Sequence, residues 1–332
     1  MNDKNLQYIL ASRPLGWVEE SNFRLVESAI PVPKDGEVLV RNHYLSLDPY
    51  MRGRMNDARS YAPPAVVGEV MLGGTAGEVM ASRHPQFAVG NKVIGRLGWQ
   101  LYAVSDGTGL SKVDTDKFPL STYLGVLGMP GVTAWIGLFD LCAPKPDETV
   151  VVTAACGAVG SIVGQLAKIH GCRAVGIAGG AAKCRYVVDE LGFDACIDYK
   201  AGNLWSDLKA ATPQRIDCLF ENVGGEIFDT LLGRMNAHSR IALCGMIAQY
   251  NSAPYPMKNI ASLLVNRVRL QGFIVTELLS RWPAALADLS THVVAGRIKY
   301  CETVADGLTQ APAAFVGMLQ GQNFGKQLVR LI

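Results

Sequence analysis

The sequence predicts an α/β protein in which a mostly β domain is followed by a doubly wound parallel sheet. Three observations carry this. From Leu6 to about Leu124, short strand-like runs are separated by Pro and Gly, as in β structure. From about Glu148 onward, short apolar runs alternate with segments of helical period, the order of a parallel sheet wrapped by helices. Between the first of those runs and its helix lies a glycine-rich turn. The domains expected are residues 1–124 with 305–332, and residues 125–304.

In the first domain Glu37–Arg41, Glu78–Met80 and Lys92–Gly95 read as strands. Glycines at 68, 73, 74 and 77 mark a backbone that turns tightly or packs close to something. Tyr44–Arg52 starts like a strand and runs into Asp48-Pro49, which halts a ladder and offers Tyr50 and Arg52 to a loop. Two readings of Tyr50 stand side by side: it meets a ligand, or it covers apolar surface with its hydroxyl in water. Gly125–Gly137, leading into Leu138, Phe139 and Leu141, reads as a helix entering the second domain.

Val150, Val151 and Val152 form a β-branched run that fits a buried parallel strand. Ala155, Gly157 and Gly160 follow at the spacing of a dinucleotide-binding turn, with Ala155 where the first glycine would be. Val159, Ile162, Val163, Leu166 and Ile169 then recur at helical intervals until Gly171, and Arg173–Ala178 is a second strand, which makes a βαβ unit. This geometry gathers backbone N–H groups and the positive helix end at one point, which favours a pyrophosphate; the plainer reading is glycines that serve only strand-to-helix packing. Further strands are expected at Ala195–Ile197, Ile216–Phe220, Arg240–Leu243 and Val268–Ile274, and helices at Leu204–Ala210, Ile227–Met235 and Ser280–Ala295. The final Gly325–Leu331 alternates like a strand returning to the first domain.

The end of the second strand bears on cofactor choice. An NAD site places an acid about 20 residues past the turn to hold the ribose hydroxyls. Here the strand ends Ile177-Ala178-Gly179-Gly180, no acid occurs between Gly160 and Asp189, and Lys183 and Arg185 follow. Cations beside small residues suit a 2′-phosphate, so NADP(H) is expected over NAD(H); the competing reading has Lys183 and Arg185 solvating a helix face.

Composition narrows the class. At 332 residues, 49% hydrophobic and 18% charged, the chain is long enough for two domains with sizeable cores. A net charge of +2 gives no case for nucleic acid or a membrane surface. No apolar run reaches the roughly 18 residues of a membrane span, and Met1-Asn2-Asp3-Lys4 lacks a signal-peptide core, so the cytoplasm is expected. The eight cysteines include no Cys-x-x-Cys pair and none beside a His at metal-ligand spacing, the pattern of small buried hydrophobes in a reducing compartment. Cys156, at a helix start, is either a reactive thiol or a small residue tolerated in the turn.

Four ordered stretches carry a resemblance: Leu45–Met55 (LSLDPYMRGRM), Ala155–Gln165 (ACGAVGSIVGQ), Glu221–Glu226 (ENVGGE) and Cys244–Asn251 (CGMIAQYN). Together they resemble the zinc-independent medium-chain dehydrogenase/reductases of the prostaglandin reductase and leukotriene B4 12-hydroxydehydrogenase group, with bacterial curcumin reductases and plant double-bond reductases, over essentially the whole chain. The resemblance implies a GroES-like first domain and a Rossmann second domain, with the active site in the cleft between them. It implies that Gly157, Ala158, Val159 and Gly160 hold the pyrophosphate, that Lys183 and Tyr199 sit at the 2′-phosphate, and that Asn222 contacts the cofactor. Cys244, Gly245, Met246, Ile247, Ala248, Gln249 and Tyr250, with Phe273, Ile274 and Val275 onward to Leu279, would wrap the nicotinamide ribose, and Asn323 would reach in from the tail. Gly180 departs from relatives that carry a hydroxyl there. A homodimer is implied, with an edge strand near Val268–Phe273 able to pair across a two-fold axis.

No zinc site is readable, because the loop around Leu47 has no cysteine and Gly68–Val79 no histidine. The expected reaction is hydride transfer from NADPH to the β-carbon of an α,β-unsaturated ketone or aldehyde, a small-molecule substrate, without metal. Tyr250 is the first candidate to polarise or protonate the resulting enolate, with Tyr50 and Tyr61 as further pocket donors; the cofactor's ribose hydroxyl or a water is the competing proton source. Quinone reduction or secondary-alcohol oxidation is the alternative within the same enzyme class, and a non-catalytic nucleotide-binding protein the alternative outside it.

Overall fold

The computed structural model describes residues 4–332. Met1, Asn2 and Asp3, part of the stretch read above for a signal peptide, lie outside the described residues. The chain separates into two compact units, residues 1–125 with 302–332 and residues 126–301.

The first unit opens with β1 (Lys4–Leu10) and β2 (Phe23–Ala29), an antiparallel pair. Next come β3 (Val38–Ser46), α1 (Tyr50–Arg54), β4 (Thr75–Ser82), β5 (Lys92–Gly95), β6 (Tyr102–Ser105) and β7 (Ser111–Lys112). The Pro in Asp48-Pro49 cannot donate to a ladder; the chain turns there into one helical turn, with Met51 N–H on the Asp48 carbonyl at 3.1 Å. Two of the glycines singled out by the sequence serve close approach: a Cβ at Gly77 would stand 2.2 Å from the Arg41 carbonyl oxygen, and one at Gly73 2.8 Å from Leu45.

The second unit runs α2 (Met129–Ile136), β8 (Thr149–Thr153), α3 (Gly160–Ile169), β9 (Arg173–Ala178), α4 (Ala181–Asp189), β10 (Ala195–Asp198), α5 (Leu204–Ala211), β11 (Ile216–Glu221), α6 (Gly225–Leu232), β12 (Met235–Leu243), α7 (Ala261–Val265), β13 (Arg269–Gly272) and α8 (Trp282–Val294). Its sheet is all parallel in the order β10-β9-β8-β11-β12-β13. That is the 3-2-1-4-5-6 order of a Rossmann sheet, and its direction reverses between β8 and β11, the point where such sheets take a ligand at the carboxyl ends of their strands. All five residues of β8 are buried, as a strand covered on both faces requires.

The chain then returns to the first unit as β14 (Glu302–Asp306), α9 (Ala311–Leu319) and β15 (Lys326–Arg330). The larger sheet there has the order β14-β15-β3-β4-β5-β7, with β6 also on β3. Trp99, fully buried, stacks on Phe23 at 4.9 Å and meets the edge of Phe315 on α9 at 5.7 Å, so the tail contributes to this core. A buried ion pair also ties the tail to the turn between β3 and α1: Lys326 Nζ lies 3.2 Å from Asp48 and donates to the Leu47 carbonyl at 2.7 Å.

In the first unit β3 and β4 run well beyond the expected Glu37–Arg41 and Glu78–Met80, and in the second unit three expected elements differ most in extent. The helix expected over Ile227–Met235 is α6, which stops at Leu232, and Met235 already belongs to β12, whose nine residues far exceed the expected Arg240–Leu243. Periodicity missed this because His238 takes a left-handed φ of 61° and the β11–β12 register shifts between Ile216 and Cys218. The last expected strand of the sheet shortens to β13, and Phe273 instead turns its ring toward Phe220 at 6.3 Å.

Candidate cofactor and active site

The carboxyl ends of β8 and β11 bring together two of the sequence motifs. At the end of β8 the backbone turns through Ala154 with φ 52°, and α3 begins at Gly160 with no side-chain cap. A Cβ on Gly160 would stand 2.4 Å from the Ala154 carbonyl oxygen, so this glycine permits the turn. Ala155 replaces a glycine without penalty because it faces another: its Cβ lies where Gly176 of β9 has none, 2.7 Å from the position a Cβ there would take. The amides of Ala158, Val159 and Gly160 thus stand at the uncapped start of a ten-residue helix, where N–H groups have no partner within the helix and the dipole favours an anion.

Beside this turn, β11 ends in Glu221, which is fully buried. Its Oε1 accepts from Thr153 Oγ1 at 3.0 Å, Val223 N at 2.6 Å and Gly224 N at 2.7 Å, and its backbone carbonyl from Cys244 N and Gly245 N. Burial pushes the Glu221 carboxyl up to about 7, against the hydrogen bonds from Gly224, Val223 and Thr153 that favour its charged form. Asn222 turns its amide back to the Thr153 carbonyl at 2.8 Å, so its Nδ2 braces β8 against β11. The loop after β12 zips onto the same turn, with Ile247 N on the Asn222 carbonyl and Ala248 N on the Val223 carbonyl. Within that loop Met246 N–H donates to the Tyr250 hydroxyl oxygen at 3.3 Å. Burial, and next the Glu221 charge, push the Cys244 thiol up to about 12.

The edge of the sheet on the other side of β8 holds the cations. Lys183 lies on α4 and is half-buried; burial lowers its pKa, and the neighbouring Lys200 charge lowers it further, while Cys156 opposes both. Tyr199 and Lys200 lie over Gly179: a Cβ on that glycine would stand 2.9 Å from the Tyr199 hydroxyl and 3.0 Å from Lys200 Cε. Gly180, with φ 102°, occupies the left-handed region, which explains why no hydroxyl residue stands there; its N–H donates to Asp198 at 2.7 Å. Lys183 and Lys200, with a phenol and the open space at Gly180, form a donor set that fits a dianionic 2′-phosphate. Lys200 was not among the sequence candidates; its position directly after Tyr199 at the end of a strand was the available signal. Arg185 is exposed on α4.

Phe273 and Val275 pack with Val132, Ile136 and Ala285, and Ile274 is half-buried between them. In the first unit Tyr50 starts α1, and burial, with the Asp48 charge next, holds its phenol above the ordinary value, so it is a neutral O–H donor. Tyr61 is exposed and lies near enough for its charge to act on Tyr50. Asn323 is also in this unit, with its Nδ2 on the Gly325 carbonyl at 2.8 Å. Cys156 is buried. Among the described residues no group of three or more His, Cys, Asp or Glu is placed to hold a metal ion, and no helix is long and apolar enough to cross a membrane.

Residues 6–113 match a family described as the N-terminal domain of oxidoreductase, and residues 158–291 one described as zinc-binding dehydrogenase. The chain is 45% identical to an NADPH-dependent curcumin reductase of Escherichia coli (strain K12), over 99% of this chain and 97% of that protein. It is 41% identical to an NADP(+)-dependent 2-alkenal reductase of Nicotiana tabacum, over 98% and 97%. The crystal structure of CurA in complex with NADPH from Vibrio vulnificus superposes with a TM-score of 0.95 at 47% identity, covering 98% of this chain and 99% of that one. Likeness of this degree along nearly the full length, on the motifs just described, means that the chain belongs to the zinc-independent medium-chain dehydrogenase/reductase family, in the group of the curcumin, prostaglandin and alkenal reductases.

Proposed function

We propose that this protein reduces the carbon–carbon double bond of α,β-unsaturated ketones and aldehydes with NADPH. The protein is an NADPH-dependent oxidoreductase of its family, and a conjugated carbon–carbon double bond is the group that the curcumin and 2-alkenal reductases have in common as substrates. The observation that carries the cofactor is the pair of lysines, Lys183 and Lys200, gathered with Tyr199 at Gly179 and Gly180 where an NAD enzyme would hold an acid.

In this reading Ala158, Val159 and Gly160 give their amides to the pyrophosphate, and Lys183, Tyr199 and Lys200 hold the 2′-phosphate. Glu221 and Asn222 fix the turn that the Cys244–Tyr250 loop rests on. The bound cofactor supplies a hydride for the β-carbon. What the chain must supply is a donor for the charge that builds on the carbonyl oxygen. Tyr250 is the proposed donor: its oxygen already accepts the Met246 amide, which orients the phenol. Tyr50 and Tyr61 are the proposed donors from the first unit. Asn323, Phe273, Ile274 and Val275 are retained as proposed cofactor contacts.

Assaying trans-2-alkenals, curcumin-like dienones and quinones side by side with NADPH tests this reading. Turnover of the first two to saturated carbonyls is expected; turnover of quinones alone rejects it. A homodimer and a cytoplasmic location are part of the same proposal. β13 ends the sheet with all four residues exposed, beside Leu264 and Val265 on α7, which are 83% and 66% exposed. An open edge of this kind pairs with its own copy across a two-fold axis, and light scattering at twice the monomer mass is the expected result.

A further inference from the structure

α4 and β10 meet at two thiols. Cys184, in the first half of α4, and Cys196 on β10 have their sulfurs 3.1 Å apart, with the Cys196 thiol donating to the Cys184 sulfur. Both residues are half-buried, Cys184 the less enclosed of the two. The glycine opposite makes room for them: Gly176 of β9 pairs with Cys196, and a Cβ there would stand 3.3 Å from the Cys196 sulfur. The pair is framed by the groups assigned to the 2′-phosphate. Lys183 directly precedes Cys184, and Asp198, two residues after Cys196, accepts from Gly180 N at 2.7 Å and from Lys200 N at 3.0 Å.

We propose that Cys184 and Cys196 are a reversible disulfide-forming site, and that closing the bond weakens NADPH binding by displacing Lys183 relative to Tyr199 and Lys200. The proposal rests on the assignment of those residues to the 2′-phosphate. A disulfide bond is about 2.05 Å long, so the two sulfurs approach by about 1 Å, which draws the start of α4 toward β10.

The oxidant is a small-molecule disulfide of the glutathione type. The Cys184 thiolate, which accepts from the Cys196 S–H, attacks one sulfur of the oxidant and expels a thiolate. Cys196 then attacks the Cys184 sulfur of the mixed disulfide and releases the second thiolate. Two protein thiols lose two protons and two electrons, and the oxidant leaves as two thiols. Burial raises the pKa of both cysteines, so the attacking thiolate is favoured by alkaline pH.

The test incubates the full-length protein with oxidised glutathione, maps the unreduced digest by mass spectrometry and titrates NADPH and NADH. The expected result is a peptide linking Cys184 to Cys196, lighter by about 2 Da than the two thiol peptides together, with an NADPH Kd raised about 5-fold or more. NADH affinity stays as before, dithiothreitol reverses the change, and Cys184→Ser abolishes it. No linkage, or linkage with NADPH affinity intact, overturns the proposal. Reduced Lys183→Ala judges the phosphate assignment separately. If it binds NADPH less tightly while the linked wild type binds as before, only the coupling falls; if it binds NADPH as the wild type does, the assignment falls and the coupling with it.

Discussion

Tyr250 and Glu221 carry the two sharpest tests at the level of single residues. If Tyr250 donates to the carbonyl oxygen, Tyr250→Phe lowers kcat on an enone by roughly 10- to 1000-fold, a loss larger than any change in NADPH affinity. Glu221 makes folding depend on pH. Its carboxyl holds a proton more tightly in the folded chain, at about 7 against an ordinary 4.5, so its favourable contribution is complete below about 4.5 and is lost as pH rises to 7. The loss is at most about 3 kcal/mol, and Glu221→Gln, neutral throughout, is expected to flatten the melting profile between pH 5 and 8. At the phosphate end Lys183→Ala is expected to raise KM for NADPH about 10- to 100-fold with little change for NADH. The sequence pointed to Lys183 by its place after a strand without an acid, and the family resemblance to Tyr199, but Lys200 and Thr153 act through neighbours distant in the chain. No spacing rule reveals such contacts.

Among the elements, the turn into α3 was legible because its requirements are local: a buried strand, small residues and a helix of clear period. The long-range reasons for those residues were not. Gly164 on α3 exists because a Cβ there would stand 1.8 Å from the Phe193 ring, and Gly164→Ala is expected to destabilise the protein by about 1–3 kcal/mol, read as a lower denaturation midpoint. β9 ran over Arg173–Ala178 as its apolar run predicts, whereas β12 began earlier than its hydrophobic stretch because partner strands and a left-handed residue set its extent. Gly180 reads in sequence as a lost phosphate donor; in the structure it is a backbone requirement, since its φ of 102° excludes a side chain without strain.

Across the whole molecule, an α/β chain with a doubly wound parallel sheet was readable from alternation alone, and the strand order supplied what alternation lacks, the reversal between β8 and β11 at which such sheets take a ligand. In the first unit the chain's two ends are joined by a charge that no pattern reveals: Lys326, 4% exposed, against Asp48, 9% exposed. Lys326→Met leaves that carboxylate buried without a counter-charge, with the Ser46 hydroxyl still donating to it, and is expected to cost about 3–5 kcal/mol of stability. The most direct measurement follows the hydride itself. With NADPH deuterated at the transferred position and a trans-2-alkenal, deuterium is expected on the β-carbon of a saturated aldehyde. Deuterium on the carbonyl carbon of an allylic alcohol, or no transfer to any conjugated carbonyl, contradicts double-bond reduction as the function of this protein.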